Sequence, residues 1–384
     1  MNDLKFSEWF CLKDGRKNFL IDPTRDRDVL FGQPEWEKEI DDRLRKSQLL
    51  EMPTRLVWWG QYGIGKTHRL HHMQFLINKN DYAYHVCYLK ASDVQEKTGF
   101  ASLHYELVNS LGQEKMRDLV KQYFKKADAG QVAPFSEICN GVSDVKDALE
   151  ALGGPGKDPA SFAWIFLCGQ SLSKSEMQLA GLSRSKLERS ADFAAVIKVF
   201  ADIIESETGK TLLYLIDEFE TTQRITNKTA EAQWNEAIRS ILDLTNLSVV
   251  MTLGAEKSDE LPILILRPDI VRRIQRDNYV GMEAFKAPET GKFIRDLLEK
   301  WVDDGKRSAL EASEKFTGTV PDYKSELYPF TEEGFRRFCD QVTLDPRNSK
   351  PSEILAKLNN VAAEACLQKR RLIDGNHLTE LGYA

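Results

Sequence analysis

The sequence predicts an α/β protein in which a parallel sheet carries a phosphate-binding loop and a small helical domain follows. Three features predict it. An apolar run breaks into a glycine-rich loop and then a helical pattern at residues 56–77, a second apolar run ends on paired carboxylates at residues 211–218, and strand signals stop beyond Pro288.

The first run is Leu56-Val57-Trp58-Trp59, and it turns into Gly60-Gln61-Tyr62-Gly63-Ile64-Gly65-Lys66-Thr67, with His68 next. Leu70, Met73 and Ile77 then share one helix face. Glycines at this spacing let backbone N–H groups close around phosphate oxygens, and a helix N-terminus adds unpaired donors and the positive end of its dipole. Residues 60–68 are therefore the candidate nucleotide cradle. Lys66 is the contact to the β- and γ-phosphates, and Thr67 offers a hydroxyl to Mg²⁺.

A cradle alone does not imply hydrolysis, which needs a carboxylate at the end of another buried strand. Thr211-Leu212-Leu213-Tyr214-Leu215-Ile216 delivers Asp217 and Glu218 to the carboxyl edge, where open α/β sheets place their ligand crevice. Asp217 is the candidate holder of Mg²⁺ and Glu218 the candidate base that orients attacking water.

A chain of 384 residues prompts two or three domains. A hydrophobic share of 42% is ordinary for a soluble globular protein, and no apolar run approaches the roughly 18 residues of a membrane span. The N-terminus lacks a secretory pattern, so a cytoplasmic protein with no membrane partner is expected. The six cysteines show no C-x-x-C, and His68, His71 and His72 have no acidic or cysteine partner at ligand spacing, so no zinc site or disulfide framework is indicated. A net charge of −6 argues against a generally cationic surface, although Lys121–Lys126, Arg267–Arg276 and Lys369-Arg370-Arg371 are local basic clusters.

In chain order, residues 1–50 read as an irregular extension and a charged entry helix from Trp36 to Leu50. Residues 51–287 read as the nucleotide-binding α/β domain, with further strands at His85–Lys90 and Leu247–Thr252, and helices at Phe193–Ile204 and around Glu231–Leu244. A helical insert occupies about 95–190, with helices at 101–111, 114–126 and 142–152 interrupted by the turn-rich 153–158. Residues 288–384 read as a helical lid domain, with a polar, mobile connection expected from Lys306 to Glu326.

The phosphate loop, the strand ending in Asp217-Glu218, the further strand ending in Thr252 and the helical domain entered through Asp345-Pro346-Arg347 resemble the AAA+ ATPases of the origin-recognition-type branch. Trp164-x-x-x-Cys168-Gly169 and Tyr328-Pro329-Phe330-Thr331 carry a finer likeness to prokaryotic ATPases of BREX-like anti-phage defence and of transposition regulation. The resemblance covers about residues 30–384. It implies ATP and Mg²⁺ as cofactors, Thr252 as first sensor, Arg347 as second sensor, and one of Arg267, Arg272, Arg273 and Arg276, best Arg273, as a finger reaching a neighbouring subunit. It implies Phe31-Gly32-Gln33 against adenine, with Gln33 standing where such proteins have arginine. A homo-oligomeric ring or filament acting on double-stranded DNA is implied, controlling a partner nuclease, methyltransferase or transposase. Such proteins continue into a winged-helix domain; here only residues 348–384 follow Arg347, so DNA contact is expected from the ATPase body or the insert. The competing reading is a nucleotide-dependent scaffold that never touches DNA. A kinase or a GTPase is disfavoured, since no substrate-lid arginine pattern is present.

Overall fold

The computed structural model describes residues 5–91, 99–139, 141–220, 227–314, 320–345 and 347–383. The chain forms two compact units, one of Met1–Ile40, Tyr62–Phe75 and Met282–Ala384 and the other of Asp41–Gln61 and Leu76–Gly281. The start of the expected insert at 95, and Pro346 of Asp345-Pro346-Arg347, lie outside the described residues. Among the described residues no helix is long and apolar enough to cross a membrane.

The second unit holds the predicted parallel sheet. Its strands are β1 (Arg55–Gly60), β2 (Tyr84–Lys90), β3 (Thr211–Asp217), β4 (Leu247–Gly254) and β5 (Tyr279–Gly281), in the order β2-β3-β4-β1-β5. All pairings are parallel. Strands buried on both faces need near-continuous apolar sequence, which is why β3 reads as an unbroken run and β4 is interrupted only by the small hydroxyls of Ser248 and Thr252. The register sets Lys90 beside Asp217, Trp58 beside Thr252 and Gly60 beside Gly254, so four strand ends converge on one edge. β5 is too short to show a pattern; it pairs with Val57–Trp59 of β1.

Between β2 and β3 the chain runs through helices that include Phe100–Asn109, Gln113–Asp128, Ser143–Gly153, Lys157–Leu167 and Ser190–Thr208. Their apolar faces merge with the sheet into one core, where Leu103, Val120, Leu149 and Phe166 join Val196, Phe200 and Tyr214. Trp164 lies 6.0 Å from Phe200 between ring centroids, which gives the Trp-x-x-x-Cys-Gly phrase a packing role.

The first unit has its own core, built from the helices Ala287–Trp301, Glu332–Thr343 and Pro351–Leu367. The N-terminal segment is part of it. Phe10, Phe19 and Phe31 are buried there, Phe19 stacks on Trp301 at 6.4 Å, and the Asn359 amide brackets the Phe19 backbone, accepting from its N–H at 2.9 Å and donating to its carbonyl at 3.1 Å. The extension is irregular after the short Phe6–Trp9 helix, as its sequence suggests, yet its aromatics anchor it.

One expectation is corrected. The polar stretch from Lys306 to Glu326 is not simply a loop, because Asp304–Glu314 is a helix. Asp303 accepts from the Lys306 amide at 3.0 Å in the first turn, Arg307 pairs with Asp304 at 2.8 Å and reaches Glu311 at 3.6 Å, and Leu310 packs against the core. Polar residues with good helix propensity and i, i+4 pairing form a helix once a single apolar anchor docks it.

Candidate functional site

The carboxyl edge of the sheet carries a connected polar cluster. β3 delivers Asp217 with its side chain only 1% exposed. The carboxylate accepts hydrogen bonds from the Thr252 hydroxyl of β4 and from the Tyr88 hydroxyl of β2, the latter at 3.1 Å. The Glu218 amide sits between Asp217 Oδ1 at 3.1 Å and Thr252 Oγ1 at 3.3 Å. Asp217 and Thr252, predicted on separate strands, are thus brought into direct contact. A buried carboxylate is tolerated only when such donors surround it. Burial, then the Asp217 charge, raises the Tyr88 phenol above its ordinary range, so it stays a donor.

Glu218 is built differently from its neighbour. Its φ of +57° is the left-handed region that non-glycine residues rarely occupy, a strain of order 1 kcal/mol that persists where the surroundings impose it. The carboxylate lies 3.5 Å from Lys90 Nζ at the end of β2, and both side chains meet solvent. Tyr88 and Lys90 were not singled out from the sequence. The available signal was their place, two residues apart at the end of a strand paired with β3, which puts both on one face.

Along the loop, Gly60 ends β1, and Gly63 and Gly65 have φ of +82° and +96°. Successive amides in such conformations face one way and make an anion nest, so the backbone suits phosphate. Lys66 begins the Lys66–Lys79 helix, and its Nζ lies 5.3 Å from the centre of the exposed Tyr62 ring. Thr67 is the second residue of that helix.

The polar side chains that follow turn to the N-terminal segment. His68 Nε2 donates to the Asp26 carbonyl at 3.1 Å, His72 Nδ1 donates to the Arg27 carbonyl at 2.7 Å, and Arg69 donates to Gln33 and stacks on Trp36 at 3.7 Å. Burial, reinforced by the His72 and His71 charges, pushes the His68 pKa down to about 4, so the ring is neutral. The side chain of His68, grouped with the cradle on sequence, is thus committed to Asp26, and that of Gln33 to Arg69. Gly32 has φ +72°, and a Cβ there would fall within 3.0 Å of Phe293, so the turn before Gln33 requires glycine.

The arginines differ in freedom. Arg347 is 84% exposed and grips Asp345, with its Nη2 2.8 Å from Oδ2. Arg273, expected to reach a neighbouring subunit, is held within its own chain: its side chain is 13% exposed, it binds both oxygens of Asp243 at 2.6 and 2.8 Å, and it donates to the Asp269 carbonyl at 2.9 Å. Arg267 pairs with Asp269 at 3.3 Å. Arg272 and Arg276 are exposed and make no ion pair among the described residues.

No family model matches the sequence, and no curated protein matches it. Solved structures do. The ORC2 protein of Aeropyrum pernix in its ADPNP-ADP complexes superposes with a TM-score of 0.51 at 11% identity, over 96% of this chain and 71% of that one. Its ADP form gives 0.51 at 12% identity, over 96% and 72%. The Cdc6p of Pyrobaculum aerophilum gives 0.48 at 11% identity, over 94% and 69%. At this identity the likeness is one of fold, and the α/β architecture that carries the phosphate loop and the Asp217 cluster is that of the Aeropyrum pernix ORC2 protein.

Proposed function

We propose that the protein is an ATPase of the AAA+ type, of the origin-recognition branch, that works as an oligomer on DNA and controls a partner enzyme in defence or mobile-element biology. The observation that carries the ATPase reading is the Asp217–Thr252–Glu218 cluster on the sheet edge from which the glycine loop departs. The loop fits a nucleotide because its glycines hold a nest conformation and Lys66 follows at the helix start. In this reading Lys66 neutralises phosphate charge, Thr67 and Asp217 would hold Mg²⁺, Thr252 is the first sensor that ranges the γ-phosphate and the attacking water, and Glu218 takes the proton of that water. Bound Mg²⁺ would supply charge neutralisation at the phosphates. The ORC2 structures contain ADPNP and ADP, and we carry that ligand class to this chain.

Oligomer, DNA and a nuclease, methyltransferase or transposase partner rest on the sequence resemblance. The exposed Arg272 and Arg276 suit a role in trans or on a phosphate backbone. Titration calorimetry with ATP and Mg²⁺ tests the core reading: the wild type should bind, and Lys66→Ala should lose binding while keeping its melting temperature. Normal affinity in that variant removes the assignment. DNA binding that requires ATP and weakens steeply with salt supports the nucleic-acid role; none at low salt removes it.

A further inference from the structure

The Pro351–Leu367 helix opens against the phosphate loop. Its first residue is proline and has no N–H, and the amides of Glu353 and Ile354 turn back to the Lys350 carbonyl at 3.0 Å each. The first-turn amide that leaves the helix is that of Ser352, which donates to the Gly63 carbonyl at 3.2 Å. The Ser352 side chain covers the same residue: a Cβ built on Gly63 would come within 2.9 Å of Ser352 Cβ, and closer still to its Oγ. Two independent constraints therefore require glycine at 63, the positive φ of +82° and the side chain lying over it.

We propose that Ser352 is a positioning residue for nucleotide: its amide pins the Gly63 carbonyl outward and so aims the next amide, that of Ile64, into the phosphate cradle. A trans peptide holds its C=O and N–H antiparallel in one plane, and the cis bond found among the described residues is Tyr328–Pro329, not 63–64. Fixing one end of the 63–64 peptide on Ser352 turns its other end the opposite way. A flipped peptide would instead present a carbonyl to phosphate oxygen, replacing attraction with repulsion. The helix N-terminus also favours a carbonyl at its mouth through its dipole. Coupling of this kind is reciprocal, so phosphate in the cradle must strengthen the helix contact by the factor that the contact strengthens phosphate binding. The inference rests on the ATPase reading and adds which residue of the helical region keeps the loop ready. Arg347, expected in that part, is turned to Asp345.

The test compares ATP, ADP and AMP affinities by calorimetry. Ser352→Pro removes the amide, and proline is tolerated in a first helical turn. It should weaken ATP and ADP roughly tenfold, the scale of one oriented hydrogen bond, and AMP much less, because the nest grips the outer phosphates. Ser352→Ala keeps the amide and should lose no more than about twofold. Equal loss for AMP and ATP, equal loss in the two variants, or no loss in Ser352→Pro would each overturn the proposal. Should Ser352→Pro fail to fold, a second pair decides: Gly63→Ala should lose ATP affinity, and adding Ser352→Gly should recover part of it by removing the clash. No recovery overturns the pinning. If Lys66→Ala abolishes ATP binding while the Ser352 and Gly63 variants show no coupling, the ATPase reading stands and only this inference falls.

Discussion

At the carboxyl edge of the sheet, Asp217, Thr252, Tyr88, Glu218 and Lys90 satisfy one another, each arriving at the end of a strand. Along the Lys66–Lys79 helix the buried polar side chains instead find partners some forty residues earlier, in the segment from Asp26 to Trp36. Parallel register makes the first arrangement local in space and regular in sequence. The second depends on an irregular segment whose course no periodicity announces. The groups proposed to do chemistry can therefore be read from strand ends, while groups that anchor the helix cannot be told from ligands until their partners are seen.

The sharpest way to break the contrast is Glu218→Gln. Asp217 is held by two hydroxyls and should keep its place, whereas the strained, solvent-facing Glu218 is the group proposed to take the proton. Turnover should fall about 10²-fold or more with ATP affinity preserved. Unchanged turnover would pass the role to another carboxylate, Glu220 first.

Acid unfolding sharpens it from the other side. Burial depresses His68, His85 and His104 to about 4 each, with the Lys115 and Lys210 charges adding at His85. Each is neutral when folded and regains its ordinary value of 6.5 when unfolded. Between pH 6.5 and about 4 the unfolded chain therefore binds more protons, so stability is intact above that window and is lost as pH falls through it. The loss should be on the order of 1–3 kcal/mol per histidine, measured by urea unfolding against pH. His68→Gln retains a donor for Asp26 but cannot titrate, and should flatten the slope; an unaltered slope would mean that His68 is not held neutral.

Legibility follows the same division. β1, β3 and β4 fall within two residues of their apolar runs, and Asp217, Glu218 and Thr252 sit where those runs end. The burial of Phe10 and Phe19 stayed hidden because their spacing fits neither helix nor strand, and the Asp304–Glu314 helix because its charges look solvated until Leu310 docks. The partners of the basic cluster were also hidden. Asp243 lies 30 residues before Arg273, and only folding shows that they meet.

That pair supplies the smallest expected effect. Arg273 ties the Pro268–Ile274 helix to Asp243, the residue that ends the Lys228–Leu242 helix, and Arg55 adds a hydrogen bond to the Arg273 carbonyl at 3.2 Å. The arrangement is that of an internal strut. A guanidinium gripping one partly exposed carboxylate contributes about 1 kcal/mol, so Arg273→Ala should lower the unfolding free energy by that much and the denaturation midpoint with it. Asp243→Ala should do the same, and the double variant should cost little more than either single one, because the second change removes a partner already lost. A finger acting in trans predicts the opposite: an unchanged midpoint, turnover down about 10³-fold, and recovery on mixing with Lys66→Ala. If that second pattern appears, Arg273 must leave Asp243 when a neighbour arrives. If the first appears, a trans role falls to the exposed Arg272 or Arg276.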